Sequence, residues 1–203
     1  MLDNHDRRIH YVDLLMEKDN LTDVPAYALP EGYRFVFYQP GDRDAWIAIE
    51  ISARELHSYE QGVEVWQKYY GNAEALLPQR MLFIENGRGE KVATITAYPH
   101  EEEGLGQVHW VAVRREDQGR GLARPLIARG LTLMRELGDC RACLHTQTVT
   151  WVACRLYLDF GFRPTAESAR EHELGWRIIR TLTNHPALSG FQPLARDRIG
   201  KWN

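Results

Sequence analysis

The feature that most constrains the fold is a strand, a turn with two glycines and a helix that follow one another directly. Residues 108–113 are a run of β-formers, and residues 122–137 place apolar side chains at three- and four-residue spacing before Gly138. The turn between them holds Gly119 and Gly121. Free backbone N–H groups at a helix start attract anions, and a missing Cβ lets the main chain approach phosphate oxygens closely. The sequence therefore predicts a phosphate-binding turn.

Two other phosphate motifs do not fit this turn. A P-loop needs Gly-Lys-Ser/Thr, which the sequence lacks. The dinucleotide-binding fingerprint needs a third glycine, but Arg124 stands at that position. It also needs an acidic residue at the end of the next strand, whereas Asp139, at the right distance, precedes that strand. Arg115 and Arg120 add positive charge around the turn. A Gly-x-Gly alone is also typical of an ordinary tight turn, so that alternative stays open on these residues.

Further strands are predicted where β-branched and aromatic residues cluster between turn residues. Residues 86–89, Asn-Gly-Arg-Gly, are typical of a hairpin turn between two of them. The predicted strands are residues 33–38, 81–85, 92–98 and 143–146, with one or two more around residues 176–179.

Helical spacing of apolar residues marks two further regions. Residues 46–70 predict two helices broken near Gly62, and Asp42 is placed to cap the first of them. A later helix, which ends at Gly161, is lined by Val152, Leu156 and Phe160. Together with the strands, these helices predict a mixed α/β fold.

Length, charge and hydropathy narrow the class of protein. The 203 residues suit one domain, which we place at residues 31–203 behind an arm of residues 1–30 that ends in proline breakers. A formal charge of −3 and a pI near 6.2 lack the basic excess of nucleic-acid-binding proteins. No apolar run of about 18 residues is present to cross a membrane, and the charged N-terminus lacks a secretory pattern. We therefore expect a cytoplasmic protein without nucleic-acid or membrane partners.

The three cysteines, Cys140, Cys143 and Cys154, are an odd number. That number speaks against a disulfide framework and for a reducing compartment. Cys140 and Cys143 have the spacing of half a zinc site, but no second Cys or His pair completes it. We expect thiols at the edge of a buried strand, and no metal.

Two linked motifs on either side of one predicted strand resemble those of a known family. Gln118-x-x-Gly121-x-Ala123 fits a Gln/Arg-x-x-Gly-x-Gly/Ala signature, and residues 153–162 resemble an Ala-x-x-Leu-Tyr-x-x-x-Gly-Phe segment. In both motifs the chain resembles the GNAT superfamily of N-acetyltransferases. The order of predicted strands and helices over residues 33–162 also resembles the fold of that family. The resemblance implies a GNAT-like fold: a mixed, largely antiparallel central sheet flanked by helices.

The resemblance also implies acetyl-CoA, or another short acyl-CoA, as co-substrate. Main-chain groups of residues 111–113 would bind the pantetheine like an added strand, and amides of residues 119–124 would hold the pyrophosphate. Arg115 or Arg124 would reach the ribose phosphate. Thr150 stands where the family usually has an asparagine, and a threonine there can still cap the next helix. The cofactor-binding residues implied are Val111, Ala112, Val113, Gln118, Gly119, Arg120, Gly121, Leu122, Ala123, Arg124 and Thr150.

Two candidate catalytic residues follow. The resemblance places the hydroxyl of Tyr157 near the cofactor sulfur, where it donates a proton to the departing thiolate. Direct attack by a primary amine in a ternary complex also needs a base, because the ammonium must lose a proton. His109 is the best candidate, since imidazole titrates in the useful range and the residue lies two positions before Val111. His145 and Glu85 are the other candidates for the base. Each of His109, His145 and Glu85 could instead be an ordinary hydrogen-bonded strand residue without a catalytic role.

Aromatic residues on the helices of residues 46–70 are candidates for the acceptor site: Tyr59, Trp66, Tyr69 and Tyr70. Aromatic walls suit an apolar or cationic amine, and a plain hydrophobic core is an equal alternative. We expect a small-molecule amine or peptide amine as acceptor, and a homodimer is left open. Besides an N-acetyltransferase, two other classes stay open: a non-catalytic acyl-CoA-binding sensor or regulatory module, and a structural protein that reuses the fold.

Overall fold

The structure, a computed structural model, describes residue 6, residues 8–195 and residues 198–200. These residues form two compact units. The continuous unit is Leu21–Cys140, and the discontinuous unit combines the described residues of Met1–Asn20 with those of Arg141–Asn203. Each helix in the described ranges is too short or too polar to span a bilayer.

Strands and helices alternate along the chain, as the sequence predicts. The strands are β1 (Asp13–Lys18), β2 (Tyr33–Phe37), β3 (Met81–Asn86), β4 (Lys91–Pro99), β5 (Leu105–Val113), β6 (Arg141–Gln147) and β7 (Arg163–Pro164). The helices are α1 (Arg43–Ala53), α2 (Tyr59–Tyr70), α3 (Leu77–Arg80), α4 (Ala123–Glu136), α5 (Trp151–Asp159), α6 (Ala166–Glu171) and α7 (Glu173–Thr183).

The continuous unit is an antiparallel meander of β2, β3, β4 and β5 with helices packed against it. β3 and β4 form the predicted hairpin, in which Met81 lies opposite Thr96. An apolar cluster joins α1 and α2 to the sheet and includes the buried side chains of Trp46, Tyr70 and Phe83. Burying these large rings on one face of the sheet stabilises the position of both helices.

The predicted break between helices near Gly62 is wrong. α1 ends before Arg54, which adopts a φ of 71°, and the Ser58 side chain caps α2. Gly62 lies inside α2, where a Cβ would come within 2.5 Å of Ile47. Glycine is therefore needed at residue 62 for the close approach of the two helices rather than for a break.

Asp42 precedes α1 but makes no side-chain cap, so the predicted cap is wrong. Its carboxylate accepts from the Gln39 backbone N–H at 2.7 Å and pairs with Lys91 Nζ at 2.9 Å. These bonds fix the turn before α1 to the start of β4, and they use the oxygens that a cap requires.

In the discontinuous unit, β1 pairs antiparallel with both β6 and β7. β1 lies within residues 1–30, and the domain boundary after residue 30 stays a prediction. The predicted strands around residues 176–179 are wrong, because this segment is α7, with Trp176, Ile179 and Thr183 buried at helical spacing. The indole N–H of Trp176 donates to the Ser168 carbonyl at 3.1 Å. Both units are antiparallel sheets with helices against them, so the predicted mixed α/β class is confirmed.

Candidate active site

The turn before α4 has the backbone of an anion site. Gly119 and Gly121 have φ values of 77° and 80°, a region that other residues rarely adopt. A Cβ at Gly119 would meet no described atom within 4 Å, and one at Gly121 would meet Pro30 at 3.9 Å, so backbone conformation rather than crowding requires the glycines. α4 begins at Ala123, and no side chain of the described residues caps it. Its first N–H groups are thus suited to a bound phosphate, as a pyrophosphate cradle requires.

Side chains anchor this turn to β5 and β2. Gln118 donates from Nε2 to the Val113 carbonyl at 2.9 Å. Asp117 is buried and accepts from Arg114 Nε at 2.8 Å and from the Tyr33 hydroxyl at 3.3 Å. Gln118, the first residue of the turn signature, therefore sets the position of the turn relative to the end of the strand.

Arginines supply positive charge around the turn. Arg120 Nη1 lies 3.4 Å from the Tyr33 hydroxyl, and the Arg124 guanidinium lies 5.9 Å from the centre of the Tyr27 ring. Arg115 is exposed just before the turn. Guanidinium groups match phosphate oxygens in geometry and charge, so backbone amides and mobile cations are both present for a diphosphate.

β5 carries a bulge at Trp110. Thr96 opposes His109, but the next pair lies two residues away on β4 and three residues away on β5. Trp110 has a φ of 47°, which is uncommon for a residue with a side chain. A bulge bends the strand and turns the peptide groups beside it. Residues 111–113 follow directly, so their main-chain groups are the ones that an extended ligand would meet.

His109 belongs to a chain of hydrogen-bonding groups. Its Nδ1 lies 3.1 Å from the Tyr70 hydroxyl, which in turn lies 3.1 Å from Thr96 Oγ1. Burial raises the pKa of Tyr70 well above its usual value, so the phenol stays neutral. When Tyr70 donates to Thr96, it accepts the Nδ1–H of His109, and Nε2 then carries the lone pair of a base.

Aromatic rings surround the imidazole of His109. The ring centroids of Tyr69, Tyr98 and Trp110 lie 5.0, 4.9 and 6.1 Å from it. The Tyr98 hydroxyl donates to the Tyr69 carbonyl at 3.0 Å, which ties α2 to β4 beside the imidazole. The electron-rich faces of such rings favour a cation, either an imidazolium or an ammonium group.

The candidate acceptor residues on α2 divide into separate groups. Trp66 and Tyr70 are buried in the apolar cluster, as expected for residues of a plain hydrophobic core. Tyr69 faces His109, as described above. Tyr59 is exposed and donates its hydroxyl to Asp44 at 2.8 Å. Of the group, Tyr69 is the one with both a partly buried ring and a place beside the candidate base.

Tyr157 lies in α5 of the discontinuous unit. Its side chain is buried, with the ring edge-on to Phe162 at a centroid distance of 6.0 Å. The Tyr157 carbonyl accepts the Phe162 N–H at 3.0 Å, across a turn in which Gly161 has a φ of 92°. The last two residues of the second motif therefore fix the position of its tyrosine.

Thr150 directly precedes α5 but does not cap it with its side chain. Its hydroxyl bonds with the Thr146 hydroxyl at 3.1 Å and donates to the Gln147 carbonyl at 2.9 Å, and α5 has no side-chain cap. These bonds stabilise the connection between β6 and α5.

The rival bases differ in their surroundings. Glu85 accepts from Arg34 Nε at 2.9 Å and lies opposite Lys91, the first residue of β4, in the register of β3 and β4. His145 is exposed on β6 in the discontinuous unit. His109 is therefore the candidate whose orientation is fixed by a buried hydrogen-bond chain.

Among the described residues, no cluster of three or more His, Cys, Asp or Glu is placed to hold a metal ion. The three cysteines are free thiols. Cys154 is buried, and burial raises the pKa of its thiol to about 12, so it is not a reactive nucleophile at neutral pH.

Two supporting residues of the site are not found by the sequence patterns. The hydrogen bond between Tyr70 and His109 forms because α2 packs on the sheet, and the periodicity of the sequence does not reveal this packing. Asp117 has a local signal, since it is a carboxylate between Arg114 and Arg120 at the turn. A buried anchor beside a phosphate-binding turn is consistent with that pattern.

The bulged strand β5, the turn and Tyr157 all lie in a part of the sequence that is similar to known proteins. The sequence model of the acetyltransferase (GNAT) family matches residues 44–162. The chain belongs to the GNAT acetyltransferase family. The resemblance carried by the two motifs is thus confirmed, and the GNAT match includes every candidate site residue named above for cofactor and proton transfer.

Curated relatives and solved structures agree with this membership. A mycothiol acetyltransferase of Thermobispora bispora is 29% identical over 153 residues, which are 72% of this chain and 52% of the relative. A mycothiol acetyltransferase of Streptomyces bingchenggensis is 31% identical over 141 residues, 69% of this chain and 46% of the relative. The crystal structure of a GCN5-related N-acetyltransferase from Sphaerobacter thermophilus superposes with a TM-score of 0.63 at 24% identity, over 78% of this chain and 50% of that one. The chain spans about half the length of the curated relatives it matches.

Proposed function

We propose that this GNAT protein is an N-acetyltransferase that moves an acetyl or other short acyl group from acyl-CoA to a primary amine by direct attack in a ternary complex. The observation that carries the proposal is the uncapped start of α4 behind two glycines of positive φ, directly after a bulged strand. This arrangement offers amides to a pyrophosphate and main-chain groups to a pantetheine arm. Family membership supports the same co-substrate.

Residues of β5 and of the turn bind different parts of acyl-CoA. Amides of residues 119–124 hold the pyrophosphate, while main-chain groups of residues 111–113 bind the pantetheine. Gln118 acts through its bond to Val113, which sets the spacing between the two. Arg120 and Arg124 neutralise phosphate charge.

His109 takes the proton from the acceptor ammonium at Nε2. The Tyr70 hydroxyl accepts its Nδ1–H, and this bond supports the imidazolium once the proton has arrived. Rings of Tyr69, Tyr98 and Trp110 favour the same charge. The neutral amine then attacks the thioester carbonyl.

Tyr157 donates its hydroxyl proton to the departing thiolate, the role that the second motif implies. Its support in this chain is the ring position set by Phe162 and the Gly161 turn. Thr150 has its hydroxyl bonded within its own unit, so it contributes to the cofactor site through the β6–α5 connection rather than by a side-chain amide.

The acceptor is a small molecule with a primary amine. Support comes from relatives that carry the name mycothiol acetyltransferase and from the aromatic surroundings of His109. The free thiols fit a cytoplasmic location, which remains part of this proposal together with a homodimer.

A thiol-release screen tests the function. Purified protein and acetyl-CoA are mixed with small amines, amino acids, polyamines, aminoglycosides and peptide N-termini, and free CoA is titrated. Acyl transfer releases CoA with at least one class, and mass spectrometry of the product shows the acetyl group on nitrogen. Calorimetric binding of acetyl-CoA without thiol release across all classes would favour the non-catalytic sensor instead.

A further inference from the structure

The irregular segment that precedes β2 passes the phosphate-binding turn. Residues 24–30 have no regular secondary structure, and Pro30 closes a turn into β2 by accepting the Tyr33 N–H at 3.3 Å. Pro30 also lies 3.9 Å from the Cβ position of Gly121. These residues precede the family match at residues 44–162, so the family model does not account for them.

Tyr27 of this segment and Tyr33, the first residue of β2, lie beside two arginines of the turn, Arg124 and Arg120. The Tyr33 hydroxyl lies 3.4 Å from Arg120 Nη1, and the Tyr27 ring lies 5.9 Å from the Arg124 guanidinium. Tyr27 nevertheless keeps 39% of its surface exposed. Prolines 25 and 30 restrict φ on either side of it, which lowers the entropy cost of holding the ring at one place.

An exposed aromatic ring beside a pyrophosphate site suits one part of coenzyme A. Its adenosine is joined to the pyrophosphate through a single ribose, and that ribose carries the 3′-phosphate. A base stacks on an aromatic ring through its π-face, and a guanidinium beside the ring attracts a phosphate. The Arg124 guanidinium lies over one face of the Tyr27 ring, so a stacked base would use the opposite face of that ring.

We propose that Tyr27 is the platform on which the adenine of acyl-CoA stacks, next to Arg124, for which the family resemblance already implies a contact with the ribose phosphate. The proposal rests on the proposed function, because it requires the pyrophosphate at the turn. It adds a binding residue from outside the family-matched stretch.

Calorimetry with two ligands tests the assignment. CoA carries the adenosine, whereas 4′-phosphopantetheine lacks it. Tyr27→Ala is expected to weaken CoA binding by about tenfold, within the range for loss of one base–aromatic stack. Binding of 4′-phosphopantetheine should equal that of the wild type, and Tyr27→Phe should retain the CoA affinity because the ring remains. Tyr11→Ala, which removes a tyrosine that is 51% exposed in the other unit, serves as the matched control.

Each contrary result is distinct. Unchanged CoA affinity in Tyr27→Ala would overturn the stacking platform alone. So would equal weakening of both ligands, which would indicate that Tyr27 supports the turn, or loss of affinity in Tyr27→Phe. A wild-type protein that binds no CoA would overturn the proposed function and the platform together.

Discussion

His109 and Tyr70 share a hydrogen bond, with Nδ1 of the imidazole 3.1 Å from the phenol oxygen. The two residues come from different elements, β5 and α2, and the bond continues to Thr96 on β4. In the proposed mechanism this bond orients Nε2 of His109 as the base, which makes Tyr70 a positioning residue with a testable effect on kcat.

Tyr70→Phe should lower kcat by about tenfold and leave the KM for acetyl-CoA unchanged, because only the orientation of His109 is lost. It should also cost about 1–3 kcal/mol of folding stability, since Thr96 loses a buried partner. Steady-state kinetics and urea unfolding measure the two effects. Tyr98→Phe is the control, because its hydroxyl bonds to the Tyr69 carbonyl. An equal kcat loss in both variants would contradict a specific role for Tyr70.

His109→Gln should reduce the rate chiefly at low pH, where the free amine is scarce and a base is needed most. The deficit should shrink as pH rises toward the pKa of the acceptor ammonium. A pH–rate profile over the stable range, with one amine and saturating acetyl-CoA, shows this. A profile identical to that of the wild type would move the role to His145, Glu85 or an ordered water.

Gly121→Val should abolish measurable acetyl-CoA binding in a folded protein. The branched side chain disfavours the φ of 80° and would stand between the turn and a bound pyrophosphate. Gly89→Val is a matched control, because Gly89 also has a φ of 80° and open space around its Cβ position. Both variants should lose similar stability, but Gly89→Val should still bind acetyl-CoA in calorimetry. Retained affinity in Gly121→Val would exclude the turn as the pyrophosphate site.

Tyr157→Phe should keep the fold and the cofactor affinity but slow transfer by about ten- to a thousandfold, near the range for one acid catalyst. The ring still packs on Phe162, so the loss should appear in kcat. A donor thioester with a more acidic thiol should restore part of the rate. Wild-type kcat with acetyl-CoA would leave Tyr157 as a packing residue.

Glu50 is fully buried in α1, and among the described residues neither carboxylate oxygen has a hydrogen-bond partner. Burial, and then the charge of Glu55, raises the pKa of Glu50 well above its usual range. A raised folded-state pKa means that its contribution to stability is fully present below the unfolded pKa and is lost as pH rises toward the folded one. The loss is about 1.4 kcal/mol per pH unit in that window.

Glu50→Gln removes this titration and should therefore raise Tm at pH 8 relative to the wild type, with a smaller difference at pH 5. Thermal unfolding at both pH values gives the comparison, and Glu64→Gln on the exposed face of α2 is the control. A Tm difference that is the same at both pH values would contradict a protonated Glu50.

The sequence by itself determines the features that depend on local conformation. The hairpin at residues 86–89, the glycines of the turn and the start of α4 follow from allowed φ and ψ values and from helix-end chemistry. The two motifs, which lie around Gly121 and Tyr157, also identify the family. These signals act over a few residues and need no knowledge of packing.

Tertiary structure alone decides the rest. Gly62 is typical of a helix break, yet it lies within α2 because Ile47 of another helix packs against it. Trp176 lies in a segment that the sequence predicts as a strand, but the segment is a helix. Its buried side chains recur at helical spacing, so that one face of the helix is buried. The partners of His109 come from elements distant in the chain, and burial of those rings brings them together. Packing energies between distant segments exceed the weak local propensities at such positions, so no local pattern records the outcome.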